Sequence, residues 1–206
     1  MTKNKKPVVI CLEGIVGAGK TTQIDILQST FLNQCQTIYE LNDISPMKEV
    51  REDLRTTGRI ANLSREDVIR LADARGKIHQ RILQESSTSV LFMDRGIYTG
   101  MVFESGNLSL WEVEKINNDL GVVIPDLCFV LHCPARIALE RIDARRKRVV
   151  KYSGRAFHET EEYIEMTREK YFAIARRRSI VLVETSGTEK EVSKKLIEEI
   201  HYAGIL

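Results

Sequence analysis

Residues Val8 to Gln23, VVICLEGIVGAGKTTQ, constrain this chain more than any other stretch. The β-branched run from Val8 to Leu12 reads as a short strand, a glycine-rich turn follows, and a helix is expected to open at Lys20. Gly14, Gly19, Lys20 and Thr21 match the spacing G-x-x-x-x-G-K-[ST]. Glycines let the backbone curl so tightly that successive N–H groups point inward at phosphate oxygens. The following helix N-terminus adds partial positive charge at the same spot. In such a loop Lys20 reaches the β- and γ-phosphates, and the Thr21 hydroxyl can ligate Mg²⁺.

The 206 residues suffice for one domain with a sizeable core, and no low-complexity linker or internal repeat divides them, so 1–206 is read as a single domain. A net charge of +2 selects neither nucleic acid nor a membrane surface as partner. The basic start, MTKNKKP, lacks the apolar run of a secretory signal, and no segment has membrane-spanning length. Cys11, Cys35, Cys128 and Cys133 form no C-x-x-C pair, and Cys11 and Cys128 sit in apolar strand-like runs. A cytoplasmic protein with reduced thiols is expected.

Strand and helix patterns alternate along the chain. A second strand is expected near Gln36 to Glu40, and a helix from about Pro46 to Gly58. A longer helix follows the cap residue Ser64 and its Asp67. Val68, Leu71, Ala72, Ile78 and Ile82 share one face of that longer helix, and so do Arg75 and His79. A guanidinium in an apolar stripe is costly without an anionic partner. Arg75 therefore snorkels out, pairs with a structural carboxylate, or points into a ligand cleft, whereas His79 reads as a core histidine. The third strand, Ser89 to Met93, ends in Asp94-Arg95, and GIYTGMVFESGN is expected to loop over the site. Strand C-termini are where open α/β sheets bind ligands; a carboxylate there can hold Mg²⁺ and an arginine can grip a phosphate.

A helix from about Ser109 to Leu120, a fourth strand from Asp126 to His132 and a helix opened by Pro134 come next. Arg141, Arg145 and Arg148 fall on one stripe of that last helix, beside Arg146 and Lys147 and before VVKYSGR, the shape of a closing lid over about 145–158. One more helix, a fifth strand at SIVLVET and a last helix marked by Val192, Leu196, Ile197 and Ile200 complete the chain. The pattern predicts an α/β fold: three layers, with a parallel sheet of about five strands and helices on both faces.

A phosphate loop serves switch GTPases, ATP-driven motors and phosphoryl transferases. No Asn-Lys-x-Asp guanine reader is present, and Asp94 is followed by Arg95 rather than by an acid that would activate water. An arginine beside the metal carboxylate suits a phosphorylated acceptor, and a basic lid excludes water from the transfer. Phosphoryl transfer needs positioning and charge neutralisation more than covalent chemistry.

On LEGIVGAGKTTQ, DRGIYTGMVF, PDLCFVLHCPARIALERI and TREKYFAIARR, the chain resembles thymidylate kinases, within the P-loop nucleoside and nucleotide kinases. The resemblance covers nearly its whole length and implies transfer of a phosphoryl group from ATP to a nucleoside monophosphate, best matched by dTMP, in a homodimer. It implies that Gly14, Val16, Gly17, Ala18, Gly19, Lys20, Thr21, Thr22 and Arg141 hold ATP, and that Thr21 and Asp94 hold Mg²⁺. Lys20, Asp94, Arg95 and Arg145 would serve catalysis. Glu40, Leu71, Arg75, Arg95, Thr99, Gly100 and Phe103 would meet the acceptor, with Arg75 at its base.

The departures fall on the acceptor pocket. Val16 stands where the family carries an acid in the loop, Leu71 where it stacks an aromatic on thymine, and Gly96 where an aromatic follows Asp-Arg. YELNDISP stands where an arginine is common. Deoxynucleoside kinases, which the chain also resembles, place a glutamate after the second strand as general base. Glu40 fits that alternative or a plain strand-end carboxylate. The four departures also admit a nucleotide-binding module without catalysis.

Overall fold

The computed structural model describes residues 6–32, 34–39, 46–148 and 159–206. Strand and helix alternate in chain order: β1 (Val8–Gly14), α1 (Lys20–Thr30), β2 (Cys35–Tyr39), α2 (Met47–Thr56), a single 3₁₀ turn at Arg59–Ala61, α3 (Arg65–Glu85) and β3 (Val90–Asp94). Then come α4 (Ile97–Phe103), α5 (Leu110–Asp119), β4 (Leu127–His132), α6 (Ala135–Arg148), α7 (Glu161–Ala175), β5 (Val181–Glu184) and α8 (Glu189–Tyr202). The strands form one five-stranded sheet in the order β2-β3-β1-β4-β5. β2 runs parallel to β3 with Cys35 opposite Val90 and Tyr39 opposite Asp94, and β4 runs parallel to β5 with Phe129 opposite Val181 and His132 opposite Glu184. This is the expected α/β architecture.

The chain divides into two compact units. Met1–Cys11 with Phe31–Leu127 makes the first, and Leu12–Thr30 with Cys128–Leu206 makes the second, so β1 contributes residues to both. In the first unit, the interior is built from Val90 to Met93 of β3, Leu71 and Ile78 of α3, and Ile97, Met101 and Val102 of α4. In the second, Cys128 to Leu131 of β4 are buried together with Ile24 and Leu27 of α1, Ile142 of α6 and Leu196 of α8. A strand whose consecutive residues are all buried reads as the near-continuous apolar run found here.

Local chemistry sets most boundaries. Reciprocal caps join Ser64 to Asp67, Ser109 to Glu112 and Thr188 to Glu191, each satisfying backbone donors at a helix start. The Pro134 carbonyl accepts from Ile137 and Ala138 as α6 begins. The helix expected up to Gly58 ends at Thr56, with Gly58 itself left-handed at φ 69°.

One expectation fails. The segment after Asp94-Arg95 is not a loop: Ile97–Phe103 is the helix α4. Its glycines and threonine read as irregular chain, but Ile97, Tyr98, Met101 and Val102 bury a helical face, and that packing overrides local propensity. Among the described residues no helix is long and apolar enough to cross a membrane.

Candidate active site

In the second unit, the phosphate loop is shaped by contacts that leave no room for side chains. Gly14 has φ 131°, and a Cβ there would lie 2.0 Å from the Leu131 carbonyl oxygen on β4. Gly17 has φ 78°, and its Cβ would lie 2.6 Å from the Ala138 carbonyl oxygen on α6. Only glycine meets both demands at once. Lys20 is buried on the first turn of α1, and its Nζ donates to the Gly14 and Ile15 carbonyls at 3.0 and 2.8 Å, so the ammonium lies on its own loop. Val16 is half-buried in the turn, Ala18 is buried beyond it, Thr21 is exposed and Thr22 half-buried on α1. One residue before the loop, the fully buried Glu13 accepts from the Tyr171 hydroxyl at 3.0 Å, so α7 braces the end of β1.

The basic stripe of α6 is divided. Arg141 donates through Nη2 to the Thr185 carbonyl at 2.5 Å, just past the end of β5. Arg145 is exposed, and Arg146 pairs with Glu159. The side chain of Arg148 and residues 149–158, most of the expected lid, lie outside the described residues. Burial pushes the Cys133 thiol above its usual range against the lowering pull of Arg141, Arg168 and Lys20, which marks the end of β4 as a cationic neighbourhood. An open groove of about 430 Å³ beside α1 shares only Thr22 with the expected set. Its Ser29 and Thr30 hydroxyls donate into their own helix.

In the first unit, β3 delivers Asp94 half-buried at its carboxyl end, followed by Arg95. Arg95 has φ 76°, the one non-glycine at positive φ among the described residues. Such strain persists where the surroundings over-determine it, and it concentrates at functional sites. Arg95 reaches Thr99 Oγ1 at 3.5 Å, and its Cζ lies 5.4 Å from the centre of the Phe103 ring. Three residues expected at the acceptor are thus brought together.

Arg75 is fully buried on α3, so it does not snorkel out; it is paired with a carboxylate. Its Nη2 donates to Glu104 Oε2 at 2.7 Å and its Nη1 to Asn117 Oδ1 at 3.2 Å. Arg51 of α2 donates to the other oxygen, Glu104 Oε1, at 2.5 Å. Burial alone would raise the Glu104 carboxyl, but the two guanidinium groups hold it below the usual range. Gly100 makes the arrangement possible, because a Cβ there would lie 2.7 Å from Arg75 Nη1. Leu71, one turn before Arg75, is wholly buried. His79 is the core histidine expected. Its Nδ1 accepts from the Val123 amide at 3.2 Å, and burial, helped by the Arg75 charge, holds it down to about 3.

Glu40 lies outside the described residues, one past Tyr39, which pairs with Asp94 across β2 and β3. Among the described residues no three His, Cys, Asp or Glu side chains gather into a metal cage. Mg²⁺ in phosphate-transfer sites is usually held by one or two protein oxygens and the substrate phosphates, a donor set that Thr21 and Asp94 match in kind. Arg51, Glu104, Asn117 and the Glu13–Tyr171 pair escaped the sequence reading. The stripe of α3 announced that Arg75 needs an anion, but nothing local says which residue supplies it.

The thymidylate kinase family model matches residues 12–196. A thymidylate kinase of Leptospira borgpetersenii is 30% identical over 203 residues, covering 94% of both chains. One of Leptospira interrogans is 29% identical over 203 residues, covering 95% of both. The solved thymidylate kinase of Candida albicans superposes with a TM-score of 0.69 at 20% identity, covering 97% of this chain and 93% of that one.

Proposed function

The chain belongs to the thymidylate kinase family, and from that premise we propose how its own residues carry the ATP-dependent phosphorylation of dTMP. It is a nucleoside monophosphate kinase. An oxygen of the dTMP phosphate attacks the terminal phosphorus of ATP, the bond to the bridging oxygen breaks, and dTDP and ADP leave. The observation that carries the reading is the phosphate loop: Gly14 and Gly17 cannot accept a Cβ, and Lys20 is held on the loop by two carbonyls.

The loop amides from Gly14 to Gly19, with Lys20, Thr21 and Thr22, cradle the triphosphate, and Lys20 exchanges its carbonyl partners for phosphate oxygens. Arg141, anchored at Thr185, contacts ATP. Thr21 and Asp94 would be the oxygen donors holding Mg²⁺, which would supply charge neutralisation for the phosphates. Arg95, held by Thr99 and Phe103, neutralises charge on the acceptor and transferring phosphates. Arg145, exposed on α6, adds to that field when the lid over about 145–158 closes. Arg75, Leu71 and Gly100 form the base side of the acceptor pocket. We read 1–206 as one kinase domain, a homodimer acting in the cytoplasm; sedimentation measures the oligomer directly.

A coupled ADP-release assay over nucleosides and nucleoside monophosphates tests this. Turnover is expected with dTMP. ADP formation with unphosphorylated nucleosides alone would reassign Glu40 as general base, and none with any acceptor would leave a binding module.

A further inference from the structure

We propose that Glu104 is a positioning residue for acceptor selection: by holding Arg51 and Arg75 on its two oxygens, it fixes the Arg75 guanidinium so that the site takes thymine and refuses a base with an amino group at the same edge. The inference rests on the kinase reading and on Arg75 lying at the acceptor base.

The side chain is placed for that task. Glu104 follows directly on α4, one residue past Phe103, whose ring lies against Arg95. The end of this one helix therefore organises three arginines from three elements: Arg95 after β3, Arg51 on α2 and Arg75 on α3. Arg75 is gripped on three sides, by Glu104 at Nη2, by Asn117 at Nη1 and by the bare Cα of Gly100. Asn117 cannot turn freely either, because its Nδ2 donates to the Val113 carbonyl at 2.8 Å. The oxygen of that amide is thereby committed to the arginine.

Rigidity of this kind converts into selectivity. A guanidinium only donates, so in a fixed orientation it matches a carbonyl and opposes an amino group. Thymine carries a carbonyl where cytosine carries an amino donor. A site built around a buried polar partner discriminates strongly because the wrong ligand leaves that partner unpaired. Two guanidinium groups share one carboxylate here, and Arg51 has Glu104 as its hydrogen-bond partner while its Nε is buried without one among the described residues. A glutamine at 104 would keep the shape but turn an N–H₂ donor toward one of two donor-only groups.

The test compares kcat/KM for dTMP and dCMP in the wild-type chain, E104Q and the double variant R51Q/E104Q, with ATP KM and thermal midpoint alongside. The wild-type chain is expected to prefer dTMP. E104Q is expected to lower the dTMP-to-dCMP ratio by at least about tenfold with ATP KM held within about twofold. The double variant removes the surplus cation with the carboxylate, so its midpoint recovers while the ratio does not. It also stands in if E104Q alone fails to fold. An unchanged ratio in E104Q, or a ratio restored together with the midpoint in the double variant, overturns the proposal. Absence of dTMP turnover by the wild-type chain overturns the kinase reading, and this inference with it.

Discussion

The phosphate loop is made of backbone. Its form follows from glycines that let β1 turn back against the carbonyls of Leu131 and Ala138, and its one charged group, Lys20, rests on the loop's own carbonyls. The arginine cluster of the first unit is made of side chains. Arg51, Arg75, Glu104 and Asn117 come from separate places in the sequence and are fixed by one another, and Arg95 lies against Phe103, the neighbour of Glu104. Backbone amides recognise every triphosphate alike. The cluster can be retuned one side chain at a time, and the departures at Leu71 and Gly96 fall beside it. The contrast teaches that the form of the loop is set by a few neighbouring glycines, while the arginine cluster depends on residues spread along the chain.

Arg95→Gly gives the hardest blow to that contrast. Turnover at saturating substrates is expected to fall about 10³-fold, the loss typical of a transition-state arginine. The thermal midpoint is expected to hold or rise, because glycine tolerates the φ of 76° that strains the arginine. A variant with near-full turnover would show that Arg95 is no part of the transfer.

Acid separates the two regions next. His79 is held down to about 3 in the folded chain, by burial first and by the Arg75 cation second, against an ordinary value of 6.5. The unfolded chain therefore binds the proton first. The stabilisation is complete above about pH 6.5 and drains away as pH falls toward 3. Between pH 7 and pH 5 the loss is about 2 kcal/mol by linkage. Burial also lowers His132 in the second unit, but that ring is only half-buried, so the larger share falls on His79. Urea titrations of wild type and His79→Gln at both pH values measure it. An equal pH dependence in the two would place the acid sensitivity elsewhere.

The smallest effect refines the backbone side. Gly19→Ala faces open space and meets only its φ of 87°, a cost of about 1 kcal/mol. Gly17→Ala meets a carbonyl oxygen at 2.6 Å besides a φ of 78°, so its midpoint should fall further. Equal losses at the two glycines would mean that α6 gives way and that the loop is less tightly built than described.

Local rules made much of the chain legible. The strand–loop–helix unit, the caps at Ser64, Ser109 and Thr188 and the buried run of β4 all depend on neighbours a few residues away. α4 is not legible locally because Gly96, Thr99 and Gly100 carry loop chemistry, while the burial that makes Ile97–Phe103 helical comes from partners far along the sequence. Gly100 shows the difficulty: its lack of a side chain is explained by Arg75, 25 positions earlier, whose Nη1 occupies the space.

By itself, the sequence determined that this protein has a tight glycine-rich turn between its first strand and first helix, in an α/β frame, because periodicity, caps and glycine spacing act over a few bonds. It determined as well that Arg75 would need an anion, since a charge in an apolar stripe is expensive wherever the stripe is buried. Only the tertiary structure decided that the anion is Glu104, that Arg51 shares it, and that Phe103 turns the same helix end toward Arg95. The two arginine–carboxylate pairings join residues 29 and 53 positions apart, and only packing, which no local pattern encodes, chooses among the many carboxylates that could have served.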